Sequence, residues 1–176
     1  MTDSPSHRDK LAFTVLLVDD AEDCLATLGL ALEGAPGITI RFARTAEDGL
    51  VVLDQEAVSA VVTDLQLPVM TGLELIARIR RQERFGALPI VAISAATDPK
   101  TPQAALDSGA NAFFAKPFSP SAVRRKLEEL IYGGDLWGKQ ESGDGSQNRR
   151  GGAMAFDGRL AGAGTDVRFA IRASAP

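Results

Sequence analysis

The sequence predicts an α/β fold: a doubly wound, five-stranded parallel sheet in the order 2-1-3-4-5, with helices on both faces. Three observations carry this. Short apolar runs alternate five times with segments of helical period between Phe13 and Ile131. Two of the runs, FTVLLV and PIVAI, are apolar almost throughout, as strands buried on both faces are. A third, ITIRF, alternates in character, as a half-exposed edge strand does.

Each element follows in chain order. FTVLLV, from Phe13, is the first strand, and Leu25, Leu28 and Leu32 give the first helix an inner stripe at helical spacing. In ITIRF, Ile38, Ile40 and Phe42 face one way and Thr39 and Arg41 the other, which puts the second strand at an edge. Ala46, Leu50 and Leu53 mark the second helix. AVV, from Ala60, is the third strand, and Asp64 arrives just beyond its apolar run. Pro68, Thr71 and Gly72 then break the chain before Leu73, Ile76 and Ile79 resume the helical period. PIVAIS is a central fourth strand. The fourth helix is short: Thr101 can cap it, Pro102 suits its first turn and Gly109 follows its end. Its few apolar contacts make it a candidate mobile element. NAFFA is the fifth strand, and Val123, Leu127 and Leu130 line the last helix.

Composition narrows the class. The chain has 176 residues, enough for one domain with its own core. Up to Tyr132 it carries 13 Lys/Arg against 18 Asp/Glu, and beyond it 6 against 5. An acidic body offers no general field for nucleic acid, so direct DNA binding is not expected. Cys24 is the only cysteine, which forbids an intrachain disulfide and suits a reducing compartment. The polar start, MTDSPSHRDK, lacks the apolar core of a signal peptide, and no apolar stretch approaches the roughly 20 residues that span a bilayer. A cytoplasmic location with no membrane partner is expected. Residues 1–11 read as a flexible N-terminus and 12–131 as the domain. Residues 132–176, with glycine at 10 of the last 44 positions, read as a disordered tail or one that orders only against a partner.

Ligands in open α/β sheets bind beyond the carboxyl ends of the strands, where the strand order reverses. That switch point lies between strands one and three, where Asp19, Asp20 and Asp64 fall. Two unit charges about 4 Å apart repel by roughly 4 kcal/mol at an effective dielectric near 20. Something positive must sit among them, or one must be protonated. A hard divalent cation that prefers oxygen, Mg²⁺ above all, is the natural occupant, and Lys116 after strand five supplies a second positive charge. Ser94, after strand four, adds a hydroxyl. Taken singly, each has a plain reading: Asp20 a helix cap, Asp19 a solvated acid, Asp64 and Ser94 strand ends, Lys116 a surface lysine. Their joint fall at the carboxyl ends of four strands favours the site. His7 reads as a solvated tail residue and Cys24 as a small apolar group.

VLLVDD, VVTDLQLPVMTG, VAISA and FFAKPF, in this order and spacing, resemble the receiver domain of two-component response regulators, with its flavodoxin-like fold. The resemblance covers residues 12–131. It implies that Asp64 accepts a phosphoryl group from a histidine kinase or histidine phosphotransfer protein. It also implies Mg²⁺, or Mn²⁺ in its place, bound by Asp20, Asp64 and the backbone carbonyl of Gln66, with Asp19 acting through water. Ser94 and Lys116 would hold phosphoryl oxygens, and a cis peptide before Pro117 would aim the lysine inward. Ser94 and Phe113 match the switch pair, and Gln66 and Ala96 the positions that tune hydrolysis. The domain is then a signalling phosphoacceptor rather than an enzyme acting on external metabolites. Its output face would be the fourth helix, fifth strand and fifth helix, presented to a downstream protein. The alternative, a flavin-binding protein of the same strand order, wants Ser, Thr, Gly and backbone amides after strand one. DDAEDC stands there instead and repels a phosphate that lacks a metal.

Overall fold

The computed structural model describes residues 13–33, 35 and 37–132. The expectations for residues 1–11 and for the glycine-rich tail lie outside the described residues, except that Tyr132 ends the last helix rather than opening the tail. The elements are β1 (Phe13–Val18), α1 (Glu22–Glu33), β2 (Ile38–Ala43), α2 (Ala46–Gln55), β3 (Ala60–Asp64), α3 (Gly72–Arg80), β4 (Ile90–Ser94), α4 (Thr101–Asp107), β5 (Ala112–Ala115) and α5 (Pro120–Tyr132). The sheet is parallel throughout, in the predicted order β2-β1-β3-β4-β5.

Alternation along the central strands divides the interior into two cores. Leu16 and Val18 of β1 point with Leu53, Ile76 and Phe113 into a core under α2, α3 and α4. Val15 and Leu17 point the other way, with Leu28, Leu32, Phe114, Val123 and Leu127 under α1 and α5. Such a side chain contributes about 1.5–3 kcal/mol when fully buried. A one-residue slip of β1 would exchange its two sets of side chains between the cores, so the register is tightly specified. Among the described residues no helix is long and apolar enough to cross a membrane.

Three local details add to the sequence pattern or depart from it. Phe42, which alternation places on the same side as Ile38 and Ile40, is 52% exposed, β2 being the edge strand. Its ring lies against Gly29, where an added Cβ would come within 3.1 Å of it. Thr101 does not cap α4. Lys100 occupies that position without a side-chain cap, while Asp98 turns the chain by accepting from the Lys100 amide at 2.9 Å. A short 3-10 turn at Glu83–Phe85, which periodicity did not show, leads from α3 towards β4.

Candidate functional site

The parallel register brings the strand ends level. Val18 stands opposite Thr63, Asp64 opposite Ile93, and Ser94 opposite Ala115. Asp19 therefore follows β1 beside Asp64, and Lys116 follows β5 beside Ser94, donating its amide to the Ser94 carbonyl at 2.8 Å. These apolar strands end in polar residues because the sheet ends there and the chain must turn over its top.

Both β1 and β3 carboxylates are buried and hydrogen-bonded. Asp19 Oδ1 accepts from the Ala21 amide at 2.9 Å, and Asp64 Oδ1 accepts from the Gln66 amide at 2.7 Å. Their outer oxygens converge on one donor: Lys116 Nζ donates to Asp19 Oδ2 at 3.0 Å and to Asp64 Oδ2. Burial lowers the lysine pKa, but the hydrogen bonds to Asp64 and Asp19 outweigh it and hold the ammonium above its usual value. The bond between Lys116 and Pro117 is cis.

The floor of the site depends on a close approach. Gly72, the first residue of α3, donates to the Leu65 carbonyl at 3.1 Å, and a Cβ there would lie 2.0 Å from the Asp64 carbonyl oxygen. Thr71 caps α3 through a reciprocal box with Glu74, whose carboxyl the Thr71 amide and hydroxyl hold below its ordinary pKa. Val69, between Pro68 and Met70, is 96% exposed with φ 65, an outlier for a β-branched residue. The Met70 amide donates to the Pro68 carbonyl across it at 2.8 Å, a γ-turn.

The remaining residues singled out from sequence divide into three groups. Ser94 is fully buried, and its hydroxyl accepts from the Ala96 amide at 3.0 Å. Phe113 is buried beside Ala92, two residues below Ser94 on the same face of the sheet. Asp20 and Gln66 are exposed at the rim, next to Asp19 and Asp64. Cys24 belongs to the surroundings of Asp19: burial, with a hydrogen bond to Asp19, pushes its thiol up to about 12 and keeps it neutral. Sequence reasoning treated Gly72 as a chain breaker and missed its contact with Asp64; glycine following a capping threonine was the available signal.

Among the described residues no three acidic, histidine or cysteine side chains are grouped so that they could by themselves hold a metal ion. The donor chemistry nevertheless fits a hard cation. Asp19, Asp20 and Asp64 offer only oxygen, and one ammonium against three carboxylates leaves the site with excess negative charge.

The model of the response regulator receiver domain matches residues 15–128. An uncharacterised 14.6 kDa protein of Leptolyngbya boryana is 34% identical over 115 residues, covering 65% of this chain and 87% of that one. A chemotaxis protein CheY homologue of Campylobacter jejuni is 31% identical over 86 residues, 49% of this chain and 66% of its own length. Among solved structures, a putative response regulator from Chloroflexus aurantiacus superposes with a TM-score of 0.65 at 30% identity, covering 69% of this chain and 98% of that one. With the sheet order, the acidic pair and the lysine at the strand ends, these matches establish that the chain belongs to the response regulator receiver domain family.

Proposed function

We propose that Asp64 is a phosphoacceptor, and that its acyl phosphate switches a surface read by another protein. The observation that carries this reading is the convergence of Lys116 on Asp64 and Asp19 at the switch point of a receiver fold. In the transfer, a carboxylate oxygen of Asp64 forms a bond to phosphorus as the bond from phosphorus to a donor histidine nitrogen breaks. The electron pair of that bond leaves with the imidazole, which takes up a proton. Aspartate is required because asparagine cannot form the acyl phosphate.

Asp20, Asp64 and the Gln66 carbonyl would hold Mg²⁺ or Mn²⁺, with Asp19 linked through water. When bound, the ion screens the phosphoryl oxygens as a Lewis acid. The chain's own groups do the rest. The Gln66 amide, donating to Asp64 Oδ1, orients the carboxylate and leaves Oδ2 facing Lys116. The lysine exchanges a carboxylate partner for a phosphoryl oxygen, and its ammonium stays charged because its pKa is raised. The Ser94 hydroxyl turns from the Ala96 amide towards another phosphoryl oxygen, vacating space beside Phe113. The changed α4–β5–α5 face then meets a downstream protein, while a histidine kinase or phosphotransfer protein supplies the group.

Incubation with acetyl phosphate and Mg²⁺, followed by intact mass, tests this directly. One phosphoryl group, labile in acid and base, is expected on the wild type and none on Asp64→Asn. Equal labelling of Asp64→Asn would overturn the assignment, and labelling that survives chelation would remove the metal from it.

A further inference from the structure

Arg80, at the C-terminal end of α3, makes four hydrogen bonds, and every acceptor is a neutral oxygen. Nε donates to the Gly109 carbonyl at 2.9 Å, one terminal nitrogen to the Phe85 carbonyl at 2.8 Å, and the other to the Leu88 carbonyl at 2.7 Å and Asn111 Oδ1 at 3.1 Å. Asn111 Oδ1 also accepts from the Ile90 amide at 2.8 Å, and the Asn111 amide donates to the Ile90 carbonyl at 2.7 Å. One guanidinium thus ties together the end of α3, the entry to β4 and the turn from α4 into β5. The fit is close: Gly109 has φ +109, and a Cβ there would lie 2.7 Å from Arg80 Cγ.

The two ends of α4 are held very differently. At the C-terminal end, Ala110 donates to the Ala105 carbonyl and Gly109 to the Leu106 carbonyl, closing a Schellman motif around the positive-φ glycine. Ala105, Leu106 and Ala110 are buried there. At the N-terminal end the cap position lacks a side-chain bond, and Ala95 and residues 97–100 are exposed. That exposed end, turned by Asp98 through the Lys100 and Thr101 amides, follows Ser94 in the chain. The clamped end adjoins Arg80.

We infer that Arg80 is a positioning residue which fixes the C-terminal end of α4, so that a signal arriving at Ser94 swings the helix about Gly109 instead of displacing it whole. This rests on the phosphoacceptor reading. A fork reaching several carbonyls at once is specific to arginine, and lysine keeps the charge without it. Arg80→Lys therefore loosens the pivot while leaving the phosphorylation site untouched, and its labelling by acetyl phosphate stays at the wild-type rate.

The test is amide exchange with and without beryllofluoride and Mg²⁺ as the phosphate mimic, with NMR shifts at Asp64 and Lys116 reporting its binding. In the wild type, exchange should change over residues 95–104 and stay constant over 107–111. In Arg80→Lys, exchange over 107–111 should rise roughly tenfold without the mimic, in proportion to lost charge-assisted hydrogen bonds. The mimic's effect should then extend through that segment. A bracing role alone would speed exchange without redistributing the response. Asn111→Ser, which withdraws one acceptor and leaves Arg80 in place, should give the same spread at smaller amplitude and serves if Arg80→Lys folds poorly. A wild-type response already spread over 107–111, or an unchanged distribution in both variants, overturns the pivot alone. Absence of any shift at Asp64 and Lys116 would overturn the phosphoacceptor reading and the pivot with it.

Discussion

Replacing Gly72 with alanine adds one methyl group at the point where α3 begins and β3 ends. Its nearest neighbours would be the Asp64 carbonyl oxygen at 2.0 Å, the Leu65 Cα at 2.7 Å and the Asp64 carbonyl carbon at 2.9 Å. All three are backbone atoms, so no side chain can rotate away. To restore a 3.0 Å separation, the helix start and the Asp64 peptide must part by ~1 Å. Overpacking of this kind costs about 1–3 kcal/mol, and weakening the Gly72–Leu65 hydrogen bond adds about 1 kcal/mol. The gain in helix propensity, at most about 1 kcal/mol, offsets part of that. With the full offset, a net loss of about 1–3 kcal/mol follows.

The displacement falls on Asp64, the proposed nucleophile. A 1 Å misplacement of a reacting group can cost about 100-fold in rate. Gly72→Ala should therefore unfold at lower urea and accept phosphate from acetyl phosphate about 100-fold more slowly, even at temperatures where it remains folded. Gly29→Ala is the matched control, because its Cβ would meet only the half-exposed Phe42 ring, at 3.1 Å. That ring can yield, and alanine in a helix interior is favoured, so stability should hold or rise with labelling unchanged. If Gly72→Ala melts and labels like the wild type, the loop absorbs the methyl and the close approach does not position Asp64.

Three further outcomes are expected. Ser94→Ala should still be phosphorylated, but losing a charge-assisted bond to a phosphoryl oxygen, worth about 1.5–3 kcal/mol, should reduce the switched population roughly tenfold or more, read by exchange around Phe113 and α4. Mg²⁺ at about 100 times its dissociation constant should stabilise the wild type by about 2.7 kcal/mol in thermal unfolding; Asp20→Ala, altering an exposed rim residue, should lose this gain while its metal-free melting stays near wild type. Thr71→Ala should cost about 1 kcal/mol through the lost cap. Because Glu74 has a lowered pKa, the contribution of its capping bonds is present above the ordinary glutamate range and fades as pH falls through the lowered value; an acid titration of stability should show that fall in the wild type and a smaller one in Thr71→Ala, which keeps the backbone amide that is the larger cause of the shift and loses only the hydroxyl.

The sheet was legible because its evidence is periodic. Each central strand serves two cores, so its sequence must be apolar on both sides, and each helix shows a stripe at helical spacing. The aspartates and Lys116 were legible because they interrupt that pattern at the ends of strands. What stayed hidden depends on approach between segments that no local pattern records. Arg80 looks like one more charge in IRRQ, since nothing nearby announces that its acceptors lie at Phe85, Leu88, Gly109 and Asn111. Thr101 was a reasonable cap by residue type, yet Asp98 turns the chain earlier and leaves Thr101 inside the helix. Gly72 shows the difference most directly. Glycine beside threonine signals a break in the chain, but only the structure shows a neighbouring backbone where a Cβ would have to be. A side chain's type sets what it can do, and the distance at which the fold holds its neighbours decides which of those things it does.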